Sequence, residues 1–175
     1  MTNIVPISDL KNYTEVLSHC DNGSTVYLTK NGRGKYVVQS LAEHEKLQAT
    51  VKLLAELAKG VESIRTERRL SMAKVTLSKE AQRDIIAIRN YIRDELCNPS
   101  AAKHIIACLK KSIQSLEKFS GRGRPLDALL SVHTEYRYLV CENYCIFYLE
   151  DNEPVIIVRI LHQRQDSLRA LFLEK

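Results

Sequence analysis

The sequence predicts a two-domain α+β protein, and three observations predict it. At 175 residues the chain is long for one domain and comfortable for two small ones. Short β-rich runs and helical periodicity alternate in both halves. Between them, Met72-Ala73-Lys74-Val75-Thr76-Leu77 reads as a fresh start: a strand followed by a helix cap at Ser78, after a charged stretch with few apolar anchors.

In the first half, Ile4-Val5-Pro6 is a short strand and Ser8 is the expected cap of a helix reaching about His19. Asp9 in its first turn suits the helix dipole. Asp21-Asn22-Gly23 supplies the stop. Thr25–Thr29 and Lys35–Gln39 are β-rich runs joined by Asn31-Gly32-Arg33-Gly34, a strong hairpin signal. Ser40 opens a helix with an apolar stripe at Leu47, Val51, Leu54 and Leu57, and Gly60 is expected to break it. The segment from Val61 to Leu70 keeps a few apolar residues in a charged background, as expected of an arm that folds onto a partner.

In the second half, the helix capped by Ser78 carries Ile85, Ile88, Ile92 and Leu96 on one face. Asn98-Pro99 ends it and starts the next, with Asn98 as cap and Pro99 in the first turn; Ile105, Leu109, Ile113 and Leu116 face its core. After the loop Gly121-Arg122-Gly123-Arg124-Pro125 come three β-rich runs, Tyr136–Cys141, Tyr144–Leu149 and Val155–Leu161. Their short connections predict an antiparallel meander with the helical hairpin packed on it. Asp166 is expected to open a last short helix with Leu168, Leu171 and Phe172 apolar.

Composition narrows the class. Hydrophobic content of 45% and charged content of 27% are ordinary for a soluble globular protein. The net charge of +5 is spread over both halves, so any nucleic-acid contact must come from a local patch. The first ten residues do not read as a signal peptide, and no apolar run approaches the roughly 20 residues of a membrane span. The five cysteines are odd in number and scattered; only Cys141 and Cys145 sit close, and no zinc spacing is completed. Reduced thiols, a cytoplasmic location, no membrane, no metal and no cofactor are the expectations.

The residues Ile7-Ser8-Asp9-Leu10-Lys11-Asn12, Val26 to Gly32, and Val37 to Glu45 resemble, in order and spacing, the Phd/YefM antitoxin family over about residues 3–60. That resemblance implies a dimerising fold that binds operator DNA and a C-terminal tail that wraps a toxin. By position, Lys11 and Lys30 match basic family residues that contact DNA, with Arg33 beside them in the hairpin; the alternative is plain solvated surface charge. Leu54, Leu57, Val61, Ile64 and Leu70 are the expected toxin-neutralising contacts.

Residues 73–170 resemble the RelE/ParE toxin superfamily. The carriers are Leu77 to Ile85, Tyr136 to Val140 with Tyr144 to Tyr148, and Val158-Arg159-Ile160-Leu161-His162-Gln163-Arg164-Gln165-Asp166, an ending that points to the ParE side. RelE-like members cleave mRNA on the ribosome with clustered Arg and Lys, and the candidates here are Arg137, His162 and Arg164. Where that branch usually has Tyr-Arg, this chain has Tyr144-Cys145, and a thiol cannot clamp phosphate as a guanidinium does. ParE-like members are instead non-enzymatic inhibitors of DNA gyrase.

The resemblances together imply a toxin–antitoxin fusion, natural or engineered. Its expected parts are residues 1–60 as antitoxin, 61–72 as neutralising arm and linker, and 73–175 as toxin domain. The expected partners are operator DNA, a second copy of the chain, and gyrase, with ribosome and mRNA as the alternative target. A masked toxin remnant on a transcriptional repressor is the remaining reading.

Overall fold

The computed structural model describes residues 3–21, 24–65, 75–130, 132–150, 154–165, 168 and 171. They form a mixed α and β chain that divides into two compact units, residues 1–48 and 49–175.

The first unit holds a three-stranded sheet in the order β1-β2-β3, with β1 Asn3–Pro6, β2 Val26–Lys30 and β3 Arg33–Val38. β2 and β3 are the hairpin expected from Asn31-Gly32, and both turn residues have positive φ, at 53° and 72°. That is the mirror-image turn whose twist matches paired strands. β1 runs parallel to β2, so the chain crosses over through a 3₁₀ turn, Ile7–Asn12, and α1, Tyr13–Asp21. The expected single helix from Ser8 is therefore two elements. Pro6, not Ser8, stands at the cap position, and the Ser8 hydroxyl is spent on Asp9. Val16, Cys20, Val26 and Leu28 form a small core.

α2 spans Leu41–Arg65, and its opening is as expected: the Glu43 amide donates to the Ser40 hydroxyl. Two expectations about it are overturned. Gly60 does not break the helix, and the buried stripe is Ala49, Leu53, Leu57 and Ile64, while Leu47 and Val51 are more than half exposed. The helix has apolar residues on more than one face, and which face is buried is decided by the sheet it meets later in the chain.

The second unit is built on a five-stranded sheet in the order β4-β8-β7-β6-β5. Its strands are β4 Val75–Leu77, β5 Arg124–Pro125, β6 Tyr136–Cys141, β7 Tyr144–Glu150 and β8 Val155–His162. β6, β7 and β8 are the expected antiparallel meander. β4 adds to it in parallel beside β8, and β5 and the short α5, Asp127–Leu130, are further elements outside the sequence reading.

α3, Lys79–Asn90, starts at Ser78, whose hydroxyl accepts from the Ala81 amide and donates to the Val158 carbonyl. α4, Pro99–Ser115, starts at Asn98 with Pro99 in its first turn. Between them α3 widens into a π turn, Tyr91–Glu95. The wider turn breaks the 3.6-residue phase, so Leu96, expected on the buried face, is more than half exposed.

The sheet is covered on both sides. α3 and α4 close one face with Ala81, Leu109, Ile113 and Leu116 against Ile146, Tyr148, Ile157 and Ile160. Residues 49–64 of α2, with α5, Leu168 and Leu171, close the other against Tyr138, Cys145, Phe147, Ile156 and Val158. Asp166 and Phe172, expected in the last helix, lie outside the described residues.

Candidate functional site

The covered sheet face is the feature that organises the second unit. Leu53 and Leu57 are fully buried and Ile64 nearly so, at spacings that bring all three to one side of α2. Leu54 and Val61 pack at the margin of the same core. Of the expected neutralising residues, Leu54, Leu57, Val61 and Ile64 thus lie on or beside this face, and Leu70 lies outside the described residues. Burying side chains of this size contributes about 1.5–3 kcal/mol each.

Gly60 explains how closely the helix approaches. A β-carbon at Gly60 would stand 2.4 Å from the Val158 carbonyl oxygen, so only glycine allows α2 to lie directly on β8. One turn on, the Ser63 hydroxyl donates to the Gly60 carbonyl and accepts from the Lys79 amide, tying α2 to the start of α3.

Charges fasten the same contact. Arg159 of β8 donates to both oxygens of Asp84 on α3, at 2.8 and 3.2 Å, and lies 3.5 Å from Glu56 on α2. Asp84 also accepts the Ile160 amide. Burial pulls the Arg159 guanidinium down, but Asp84, Glu56 and Glu80 outweigh it and hold it above its usual value. Glu80 is held below the usual carboxylate range, first by the Ser63 hydroxyl, against burial, and then by its own backbone amide, Arg83 and Arg159.

The three candidate catalytic residues do not come together. Arg137 donates to the Gly121 and Gly123 carbonyls at 3.0 and 2.7 Å and lies 3.8 Å from Glu150. Tyr148 secures the same loop, accepting from the Gly123 amide and donating to the Ser120 carbonyl. Arg137 is thus a brace for the glycine loop.

His162 stands at the other end of the sheet. It pairs across β7 with Tyr144, which pairs with Cys141, four residues along β6 from Arg137, or roughly 13 Å of strand. The rings of Tyr144 and His162 meet edge to face at 5.0 Å, and His162 Nδ1 accepts the Arg164 amide. Burial, then the Arg164 charge, push the imidazole below its usual value. Burial also pushes the Tyr144 phenol up, with Tyr91 adding to it.

His162, Arg164, Tyr91, Tyr144 and Leu96 line a groove of about 880 Å³ between the helical hairpin and the strand ends. Its wall is mostly aliphatic, with the rings of Tyr91, Tyr144 and His162 and the charges of Arg164 and the Asp84–Arg159 pair. Cys145 is fully buried, and burial pushes its thiol up to about 11.

Lys11, Lys30 and Arg33 are exposed. Lys30 and Arg33 face each other across the hairpin, and Pro6 lies opposite Thr29, so the 3₁₀ turn bearing Lys11 begins at the same end of the sheet.

Comparison with known proteins decides the family. The ParE toxin of the type II toxin–antitoxin system parDE matches residues 75–167, more than half of the chain. The chain belongs to the ParE toxin family. This assigns it a role in a toxin–antitoxin system, and the ParE match runs from β4 through His162 and Arg164. Among solved structures, the chromosomal ParDE toxin–antitoxin system from P. aeruginosa is similar at 21% identity, covering 52% of this chain and 96% of that one, with a TM-score of 0.45. No curated protein matches.

Sequence reasoning missed two parts of this geometry. Ser63 and Glu56 carried no motif, and their roles follow only from the docking of α2 beside Arg159. His104 and Cys108, four residues apart on α4, complete no zinc spacing in sequence, because Glu142, whose ligand atom lies within 4.8 Å of theirs, is distant along the chain. Among the described residues, no helix is long and apolar enough to cross a membrane.

Proposed function

We propose that this chain is a self-neutralised toxin, a ParE-type domain held inactive by an antitoxin-like segment of the same polypeptide. The observation that carries the reading is the seating of residues 49–64 on the sheet face of the ParE domain, with Leu53, Leu57 and Ile64 buried there. In a two-protein system a separate antitoxin would have to supply that cover. Joining the two fixes their ratio and raises their effective concentration to about millimolar or more. The neutralising arm in this reading is residues 49–64 of α2, earlier than the 61–72 stretch that composition suggests. Residues 73–175 remain the toxin domain.

Residues 1–48 act, in this reading, as the Phd/YefM-like operator-binding module. The grouping of Lys11, Lys30 and Arg33 at one end of a small sheet supports this, since phosphates are met by such clusters. The four-residue core beside exposed Ile4, Tyr13 and Leu41 supports a module completed by a second copy. A dimer reads a palindromic site.

The target we propose for the released toxin is DNA gyrase, engaged through binding rather than chemistry. The separation of Arg137 from His162 and the burial of Cys145 favour this over mRNA cleavage. The test is a supercoiling assay with purified gyrase and a chain in which α2 has been displaced by Leu53→Asp and Leu57→Asp. Loss of supercoiling, restored by adding residues 1–72, supports the reading. Intact supercoiling together with truncated messages in cells would transfer the toxin to the ribonuclease class.

A further inference from the structure

Away from the covered face, α4 and the β6–β7 turn bring together three metal-ligating side chains. His104 and Cys108 stand four residues apart on α4 and so project from the same side of the helix. Glu142 occupies the turn between β6 and β7. One ligand atom from each of the three lies within 4.8 Å of the others. The set joins two elements distant in sequence, and it mixes thiol, imidazole and carboxylate.

We propose that His104, Cys108 and Glu142 form a divalent transition-metal site of the zinc class, with water at the fourth position. The distances fit that chemistry. A tetrahedral zinc with Zn–S of about 2.3 Å and Zn–N of about 2.0 Å separates sulfur from nitrogen by about 3.5 Å. The observed separation of Cys108 Sγ from His104 Nε2 is 3.6 Å. Glu142, with a carboxylate oxygen within 4.8 Å of both, closes the set by turning an exposed side chain.

Glu142 holds a φ of 53° as the first residue of the two-residue turn between β6 and β7, so its place beside α4 is fixed by the hairpin. Thiolate and imidazole select zinc-class metals over magnesium or calcium, which prefer oxygen donors throughout. Binding releases the Cys108 thiol proton to solvent and leaves an Sγ–metal bond, with no change of oxidation state. The bound ion would pin the β6–β7 hairpin to α4 at the end of the sheet that carries Tyr144 and His162.

The test uses the full chain, stripped with a chelator and titrated with Co²⁺ as a spectroscopic stand-in for zinc. The expected result is one equivalent bound, with a sulfur-to-cobalt charge-transfer band in the near ultraviolet and intense visible bands of a tetrahedral ion. Cys108→Ser abolishes the charge-transfer band, His104→Ala and Glu142→Gln weaken binding at least tenfold, and Cys97→Ser leaves both unchanged. Zinc should also raise the melting temperature of the parent chain and not that of Cys108→Ser, because a ligand of the folded state alone stabilises it. No stoichiometric cobalt binding by the parent, or an undiminished charge-transfer band in Cys108→Ser, overturns the proposal. All four substitutions fall on exposed or half-exposed positions, so circular dichroism of each variant should match the parent.

Discussion

Gly60 of α2 and Val158 of β8 meet backbone to backbone: a β-carbon at position 60 would stand 2.4 Å from the Val158 carbonyl oxygen. The helix itself would prefer alanine there by about 1 kcal/mol. What glycine contributes is proximity, and through it the burial of Leu57 and Ile64 on either side. Gly60→Val should therefore lift α2 from the sheet and make the full chain inhibit growth, whereas Lys59→Ala on the exposed side should not. Growth curves and limited proteolysis of both variants check this.

Leu57→Ala removes a fully buried side chain from the same contact. Its expected cost is about 2–5 kcal/mol of stability, the range for truncating a well-packed leucine. Urea unfolding should show a lower midpoint, and the exposed Leu47→Ala should leave it nearly unchanged.

The carboxyl of Glu80 gives the contact a pH dependence. Its folded value lies below the ordinary 4.5, chiefly through the Ser63 hydroxyl. The folded state therefore binds the proton less readily than the unfolded one. The stability Glu80 contributes is present above pH 4.5 and is lost as pH falls through its folded value. Ser63→Ala should shrink that acid-side loss, measured as the difference in unfolding midpoint between neutral pH and pH values below 4.5.

Arg137 is expected to matter for structure. Arg137→Ala releases two carbonyls of the Gly121–Gly123 loop, and a charged hydrogen bond of this kind contributes about 1.5–3 kcal/mol. Amide exchange in that loop should rise. The displaced-α2 chain should keep its toxicity when His162 is replaced by Gln and should lose it when the groove is filled by Ala101→Trp, if binding rather than proton transfer is what the groove does.

For the first unit, replacing Lys11 and Lys30 together should weaken operator binding and reduce the slope of log affinity against log salt by about two. Unchanged affinity and slope in a mobility-shift series would remove both residues from the DNA contact.

Local chemistry made much of this fold readable. Ser78 and Asn98 announced their helices because a side-chain oxygen accepting a free amide is a short-range effect. The meander followed from three β-rich runs with tight turns. What stayed hidden depends on partners far along the chain. The face that α2 buries is chosen by Phe147 and Val158, so Leu47 and Val51 looked as apolar as Leu53. Gly60 reads as a breaker until the strand beneath it is known. Leu96 left its expected face because a π turn adds one residue to the helix, and no residue type in Tyr91–Glu95 signals that. Of the site candidates, His162 and Arg164 could be paired by spacing, while the distance to Arg137 is set by strand register alone.

The most direct test of the central claim is growth after induction of residues 72–175, confirmed soluble, beside induction of the full chain. Arrest by the fragment and normal growth with the full chain are expected, because only the latter carries residues 49–64 on the ParE sheet. A soluble, folded fragment that leaves growth untouched would contradict that claim.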